Sequence, residues 1–113
     1  MDKVEPIILK YEDGREYTLE FNRNSVVFAE KNGFDINNVG SQLMTRIPEL
    51  FWYAFRMHHP SVTQKQAEHI LFEDMGGITE DITERLISLY NQPYMSLLSG
   101  DGEPKNAQMK VIL

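Results

Sequence analysis

Apolar and polar residues alternate in two short runs near the start of the chain. The apolar members share the odd-numbered positions of both runs: Ile7, Leu9, Tyr11, Tyr17 and Leu19. Alternation with a period of two is typical of β-strands that bury one face. We therefore predict a β-hairpin over residues 6–21.

The loop of this hairpin is Glu12, Asp13 and Gly14, since Gly14 can close a type I turn followed by a bulge. A loop of this length pairs Leu9 with Tyr17 and keeps all the apolar residues on one face. A two-residue loop would divide them between the two faces, so we reject it. A lone hairpin is only marginally stable in water, so its apolar face must pack on the elements that follow.

Farther along the chain the apolar spacing changes to three or four residues, which indicates α-helices. Capping and breaking residues divide this part into about five. We predict helices from Asn22 or Asn24 to residue 32, over residues 39–46, over residues 48–58, from Thr63 to Gly76, and from Thr79 to about Leu98 with an end or a kink at Pro93. The second and third helices are alternatively one unbroken helix kinked at Pro48.

The predicted fold class is α+β and mainly α, with an N-terminal β-hairpin packed on a bundle of about five helices. One domain covers residues 1–98, in which the hairpin takes up residues 6–21 and the helices residues 23–98. Glycine, proline and charged residues are frequent after Ser99. We predict that residues 99–113 form a flexible tail, whose apolar end could pair as a strand or dock on a partner.

Composition and charge exclude several classes of function. Of 113 residues, 42% are hydrophobic and 25% are charged, which is ordinary for a soluble protein. No cysteine is present, which excludes disulfides and fits a reducing cytoplasm. We expect no membrane partner, because no run approaches the roughly 18 apolar residues of a membrane span, and we see no signal peptide. A net charge of −6 argues against nucleic acid as a partner.

Candidate chemistry is sparse. His58 and His59 are adjacent, and His69 and Glu73 are spaced like half of a zinc site, but no second histidine completes it. No glycine-flanked serine of the G-x-S-x-G type and no phosphate-binding loop occurs. We therefore predict no catalytic residue, no cofactor and no metal, and we do not expect an enzyme. A small metal protein or enzyme that uses His58, His69 and Glu73 is the less favoured alternative.

Residues 50–57 form the most informative stretch, since seven of the eight are apolar and four are aromatic. A helix that is apolar nearly all round is either buried at the centre of its protein or covered by a partner. Tryptophan, tyrosine, methionine and arginine are enriched in the cores of protein interfaces. The functional interpretation is a protein-binding surface formed by Trp52, Tyr53, Arg56 and Met57.

The order of four features along the chain is similar to that of a known protein family. They are a hairpin of residues 7–11 and 17–21, a capped helix that ends in residues 29–36, an aromatic helix of residues 50–55 closed by His59-Pro60, and an acidic helix of residues 66–71 opened by Val62-Thr63. Over about residues 5–98 this order resembles the tail assembly chaperones of long-tailed bacteriophages. The likeness is greatest to the small form encoded upstream of the tape measure protein in phages of Gram-positive hosts.

The resemblance implies a non-enzymatic assembly factor that acts in the host cytoplasm, self-associates and is absent from the finished virion. Such chaperones coat the long, apolar tape measure protein until subunits of the tail tube protein replace them. In that family a longer product often arises by frameshifting, and residues 99–113 lie where such an extension would attach. The alternative function is a structural or adaptor protein of a phage virion or mobile element.

Overall fold

Two strands and a set of helices make up the computed structural model, which describes residues 3–98 and residue 112. The antiparallel hairpin comes first and the helices follow, so the fold is α+β and mainly α, as predicted. The elements are β1 (Ile7–Lys10), β2 (Glu16–Leu19), α1 (Arg23–Lys31), α2 (Leu43–Tyr53), α3 (Gln64–His69) and α4 (Glu80–Leu97). The predicted flexible tail, residues 99–113, lies outside the described residues except for residue 112.

The register of the hairpin confirms the prediction from the alternating pattern. Ile7 pairs with Leu19, and Leu9 pairs with Tyr17. Gly14 has a φ angle of 96°, in the left-handed region that glycine adopts without steric cost. The three-residue loop thus sends the apolar face of both strands toward the helices, where Leu19 is completely buried.

The outer edge of β2 is bonded to the segment that follows α2. The N–H of Glu20 donates to the carbonyl oxygen of Ala54 at 3.0 Å, and the N–H of Thr18 donates to Nε2 of His59 at 2.9 Å. The His59 ring also lies 5.1 Å from the Tyr17 ring, in an edge-to-face arrangement. These contacts join the hairpin to the helices and satisfy backbone groups that would otherwise form an open sheet edge.

Asn22, rather than Asn24, caps helix α1. The Asn22 side chain accepts a hydrogen bond from the Ser25 N–H at 2.8 Å, and the Ser25 hydroxyl accepts one from the Asn22 N–H at 2.9 Å. This reciprocal pair is a capping box, which satisfies two N–H groups at the helix start. Gly33, with a φ angle of 88°, follows the helix end as predicted.

The prediction of two helices over residues 39–46 and 48–58 is wrong, and the alternative of one unbroken helix is observed, because α2 contains Pro48 in its interior. Residues 39–41 form turns instead, and α2 starts after Gln42. Pro48 lacks an N–H, so the carbonyl of Met44 loses its intrahelical partner. Met44 is 85% exposed in the first turn, where water can bond that carbonyl. The bundle therefore has four α-helices among the described residues rather than about five.

Helix α2 also ends earlier than predicted, at Tyr53 instead of His58. The N–H groups of Phe55 and Arg56 donate to carbonyls three residues back, at 3.0 and 3.1 Å, and so tighten the chain into turns. The Phe55 ring is buried and lies 5.3 Å from the ring of Tyr17 in the hairpin. We infer that packing against β2, a contact remote in sequence, determines where α2 ends.

The start of α3 agrees with the prediction, but the α-helix ends at His69. Thr63 and Gln66 form a capping box, in which the Gln66 N–H donates to the Thr63 hydroxyl at 3.1 Å. The helix continues as a π-helical turn over Ile70–Asp74 and stops before Gly76, whose φ angle is 71°. Helix α4 is capped by Thr79 and runs on through Pro93.

All of these elements contribute to one hydrophobic core, at the junction of the hairpin with α1, α2 and α4. Its buried members are Leu19, Phe21, Ala29, Phe34, Val39, Leu50, Phe51, Tyr53, Ala54, Phe55, Ala67, Ile70, Leu71, Leu86, Leu89 and Tyr90. Five of these core positions belong to the aromatic stretch, so most of that stretch is structural.

Candidate protein-binding site

Three of the four residues predicted to bind a partner lie together around one ring of α1. The Arg56 guanidinium lies 4.0 Å from the centroid of the Phe28 ring, a cation–π arrangement. The same ring meets Trp52 at 6.5 Å and Tyr53 at 6.0 Å, both edge to face. We call Phe28, Trp52, Tyr53 and Arg56 the aromatic patch. Met57 lies in the turns that follow α2.

The aromatic patch is largely occupied with contacts inside the chain. The indole N–H of Trp52 donates to the carbonyl oxygen of Val62 at 2.9 Å, and Trp52 is half-buried. Tyr53 is only 3% exposed, and burial raises the pKa of its hydroxyl. The cavity beside these rings holds about 20 Å³, roughly the room for one water molecule.

These positions divide the predicted binding residues into two pairs. Arg56 and Met57 are exposed, and a partner could reach both. Tyr53 is a core residue, and Trp52 is half-buried within its own chain. A binding surface formed by all four residues stays a prediction, but its accessible part is limited to Arg56, Met57 and one side of Trp52.

The three histidines form separate polar contacts instead of one cluster. His58 Nε2 lies 2.8 Å from a Glu20 carboxylate oxygen, and His69 Nε2 lies 3.4 Å from Asp74. His59 accepts the Thr18 N–H, and burial, with His58 close by, lowers the pKa of His59. Within residues 3–98 no three side chains of the metal-ligating types come together.

A broad open groove lies between α1 and the second half of α4. Its volume is about 1060 Å³, at the upper end of the roughly 300–1000 Å³ typical of ligand pockets. Phe21 and Tyr90, whose rings meet at 5.1 Å, are buried beneath it. We call this feature the α1–α4 groove; its principal lining residues are Arg23, Val26, Val27, Tyr90, Tyr94 and Leu97.

Each side of the α1–α4 groove contains one face of a helix, and Asn91, Gln92 and Ser96 of α4 also line it. On α1 the face is Arg23, Val26, Val27 and Glu30, which we call the α1 stripe. On α4 it is Tyr90, Pro93, Tyr94 and Leu97. Both sets have the spacing of zero, three, four and seven residues that places side chains on one side of a helix. These two helix faces border the groove.

The end of α4 is the most exposed apolar surface of the groove. Leu97 is 74% exposed and Tyr94 is 59% exposed, and Met95 and Leu98 are also exposed beside them. Single exposed apolar residues are common, but a continuous group of four on one helix end indicates an interaction site.

The α1–α4 groove was not predicted from the sequence. A signal was present, since Tyr94 and Leu97 continue the same spacing beyond Pro93. The proline suggested an end or kink, whereas the helix continues to Leu97. The exposure of Val27 could not be read from the sequence, because a valine pair on a short helix fits a buried position equally well.

Comparisons with known proteins place the chain in a family by sequence. The chain belongs to the family described as Domain of unknown function (DUF5055), which matches residues 2–113. Neither the curated proteins nor the solved structures gave a match. In the part of the chain that the structure describes, no helix is both long enough and apolar enough to cross a membrane.

Proposed function

We propose that this protein is a bacteriophage tail assembly chaperone, which binds the tape measure protein, self-associates in the host cytoplasm and gives way to the tail tube protein. The proposal assigns it no catalytic residue, cofactor or metal. The observation that carries it is the α1–α4 groove with its exposed apolar end at Tyr94 and Leu97. The order of elements, which resembles that of the chaperone family, supplies the identity of the client.

The chemistry of the groove suits a helical client. Two helix faces with the same spacing leave a trough in which the apolar side of a third helix can lie, as in helix-in-groove recognition. A tape measure protein is long, apolar and prone to form coiled coils, so it has many helices with an apolar side. Burying Leu97 alone would contribute about 1.5–3 kcal/mol, since it is 74% exposed in the free chain.

The charge of the chain supports the same role. A net charge of −6 keeps the complex soluble while apolar segments are covered. Arg56, which lies over the Phe28 ring, and its neighbour Met57 offer a second accessible contact. Their contribution would be smaller, because the rest of the aromatic patch is engaged within the chain.

Co-expression with the tape measure protein of the same genome tests the proposal. We expect the tape measure protein to be soluble with the wild-type chain and to aggregate with Leu97→Asp, which places a charge in the apolar groove. Met44→Asp is the matched control, because Met44 is 85% exposed at the start of α2, away from the groove. A tape measure protein that aggregates equally with all three chains would contradict the proposal.

The composition of finished particles separates this function from the alternative. An assembly chaperone leaves before maturation, so mass spectrometry of purified virions should not detect the chain. Stoichiometric retention in the virion would instead identify a structural or adaptor protein.

A further inference from the structure

We propose that the α1 stripe is the surface through which two copies of this chain pair, with the two α1 helices antiparallel across a two-fold axis. The inference deepens the self-association that the proposed function includes, and it rests on that part of the function. It assigns the contact to Arg23, Val26, Val27 and Glu30 and gives it a geometry.

The α1 stripe has its charges at opposite ends and its apolar residues in the middle. Arg23 and Glu30 are seven residues apart, which is about 10 Å along a helix axis. Val26 and Val27 lie between them, and Val27 is 37% exposed. Arg23 and Glu30 are exposed, and within residues 3–98 neither forms an ion pair in its own chain.

This pattern is complementary to itself in one orientation only. In a two-fold interface the same patch meets its copy, so antiparallel α1 helices place Arg23 against the partner's Glu30 at both ends. Val26 and Val27 then meet near the axis. A parallel arrangement would instead oppose arginine to arginine and glutamate to glutamate, and like charges face to face are destabilising.

The neighbouring helix completes the interface. Because α4 forms the other side of the α1–α4 groove, pairing of two α1 helices brings both α4 helices alongside them. The result is a four-helix arrangement, a common way to cover apolar helix faces. The second copy then covers the α1 side of the groove, so a client helix would have to displace it before binding there. Tyr94 and Leu97, which are exposed in the single chain, would flank the paired valines and exclude water from the two ion pairs.

Charge reversal and charge exchange on the full chain test the geometry by sedimentation equilibrium. We expect Arg23→Glu and Glu30→Arg each to raise the dimer dissociation constant at least about tenfold, since each opposes like charges at both ends. The double variant restores opposite charges and should return close to the wild-type constant. Rescue within one chain is excluded, because residues seven apart on a helix do not touch.

Lys31→Glu is the matched control, because it changes the net charge as much as Arg23→Glu does but lies outside the α1 stripe. It should leave the dimer dissociation constant unchanged. Circular dichroism is used to check that all variants are folded. Single variants that dimerise like the wild type, or a double variant that does not recover, would overturn the proposed interface. In both cases the chain still self-associates, so the proposed function survives.

A wild-type chain that stays monomeric at high concentration overturns both the interface and the self-association in the proposed function. Tape measure binding is a separate measurement in the same variants. If it persists in that monomer and is lost with Arg23→Glu, the α1 stripe is a client-binding surface instead of a dimer contact.

Discussion

Protonation of His59 should loosen the attachment of the hairpin to the helices. Its Nε2 accepts the Thr18 N–H at 2.9 Å, and a backbone N–H is only a donor, so this nitrogen must be unprotonated in the folded chain. Burial, with a smaller effect of His58, lowers the pKa of His59. The ring also packs edge to face on Tyr17 and Phe55, which limits its freedom to turn away.

The sign of the pH effect follows from linkage. A histidine whose pKa is lowered on folding binds its proton more readily in the unfolded chain. Its contribution to stability is therefore complete above the ordinary histidine pKa of about 6.5 and is lost as the pH falls through the folded-state value. Protonation leaves the half-buried Thr18 N–H without an acceptor. One unit below the ordinary histidine pKa, linkage limits the resulting loss of stability to about 1.4 kcal/mol.

Urea denaturation followed by Trp52 fluorescence measures this loss at about pH 7.5 and about pH 5.5, on either side of the histidine titration. With the usual slope of about 1–3 kcal/mol per molar urea, the midpoint should fall by roughly 1 M. His59→Gln keeps an acceptor that does not titrate, so it should lose much less stability in acid. His69→Gln, at a largely exposed position, is the control and should follow the wild type.

An acid-induced loss that is the same in His59→Gln and the wild type would refute the reasoning. It would mean that carboxylates or the other histidines control stability in this range, and that the bond between Thr18 and His59 contributes little.

Other substitutions test the core and the helix ends. Phe51→Ala removes a ring that is completely buried and should lower the free energy of unfolding by about 3–5 kcal/mol, as measured by urea denaturation. Asn22→Ala removes the cap of α1 and should cost about 1 kcal/mol in the same assay, while Asn24→Ala should cost far less. Trp52→Phe removes the hydrogen bond to the Val62 carbonyl and should lower the thermal midpoint, with a loss of about 1–3 kcal/mol.

The hairpin and the helix starts were predictable because local chemistry determines them. The spacing around Gly14 permits one register that keeps the apolar residues together, and that register is observed. Thr63 and Thr79 cap α3 and α4 with their own side chains, so neither start depends on remote contacts. A reader of the sequence needs only neighbouring residues to find these features.

The course of α2 was not predictable in the same way, because long-range packing overrides local signals there. Pro48 is a strong local reason to end a helix, yet α2 continues through it because the buried residues beyond it, such as Phe51, must face the core. Conversely, nothing local stops α2 at Tyr53. The turns that follow allow Phe55 and His59 to reach Tyr17 in β2.

The candidate protein-binding site was also only partly predictable from the sequence. Aromatic composition indicated a binding surface at Trp52 and Tyr53, but composition cannot distinguish a ring that faces a partner from one that faces the core. Tyr53 packs on Phe28 and Phe34, two rings far from it in sequence, and is buried by them. The α1–α4 groove forms only where two helices distant in sequence come together, so the sequence of either helix alone does not predict it.

Binding of the full-length chain to the tape measure protein of its own genome tests the central claim most directly. The measured quantity is the dissociation constant, compared between the wild-type chain, Leu97→Asp in the α1–α4 groove and Met44→Asp outside it. We predict that the wild type and Met44→Asp bind alike and that Leu97→Asp binds at least about tenfold more weakly, a difference of about 1.4 kcal/mol. Equal binding by all three chains, or binding by none of them, would contradict the account.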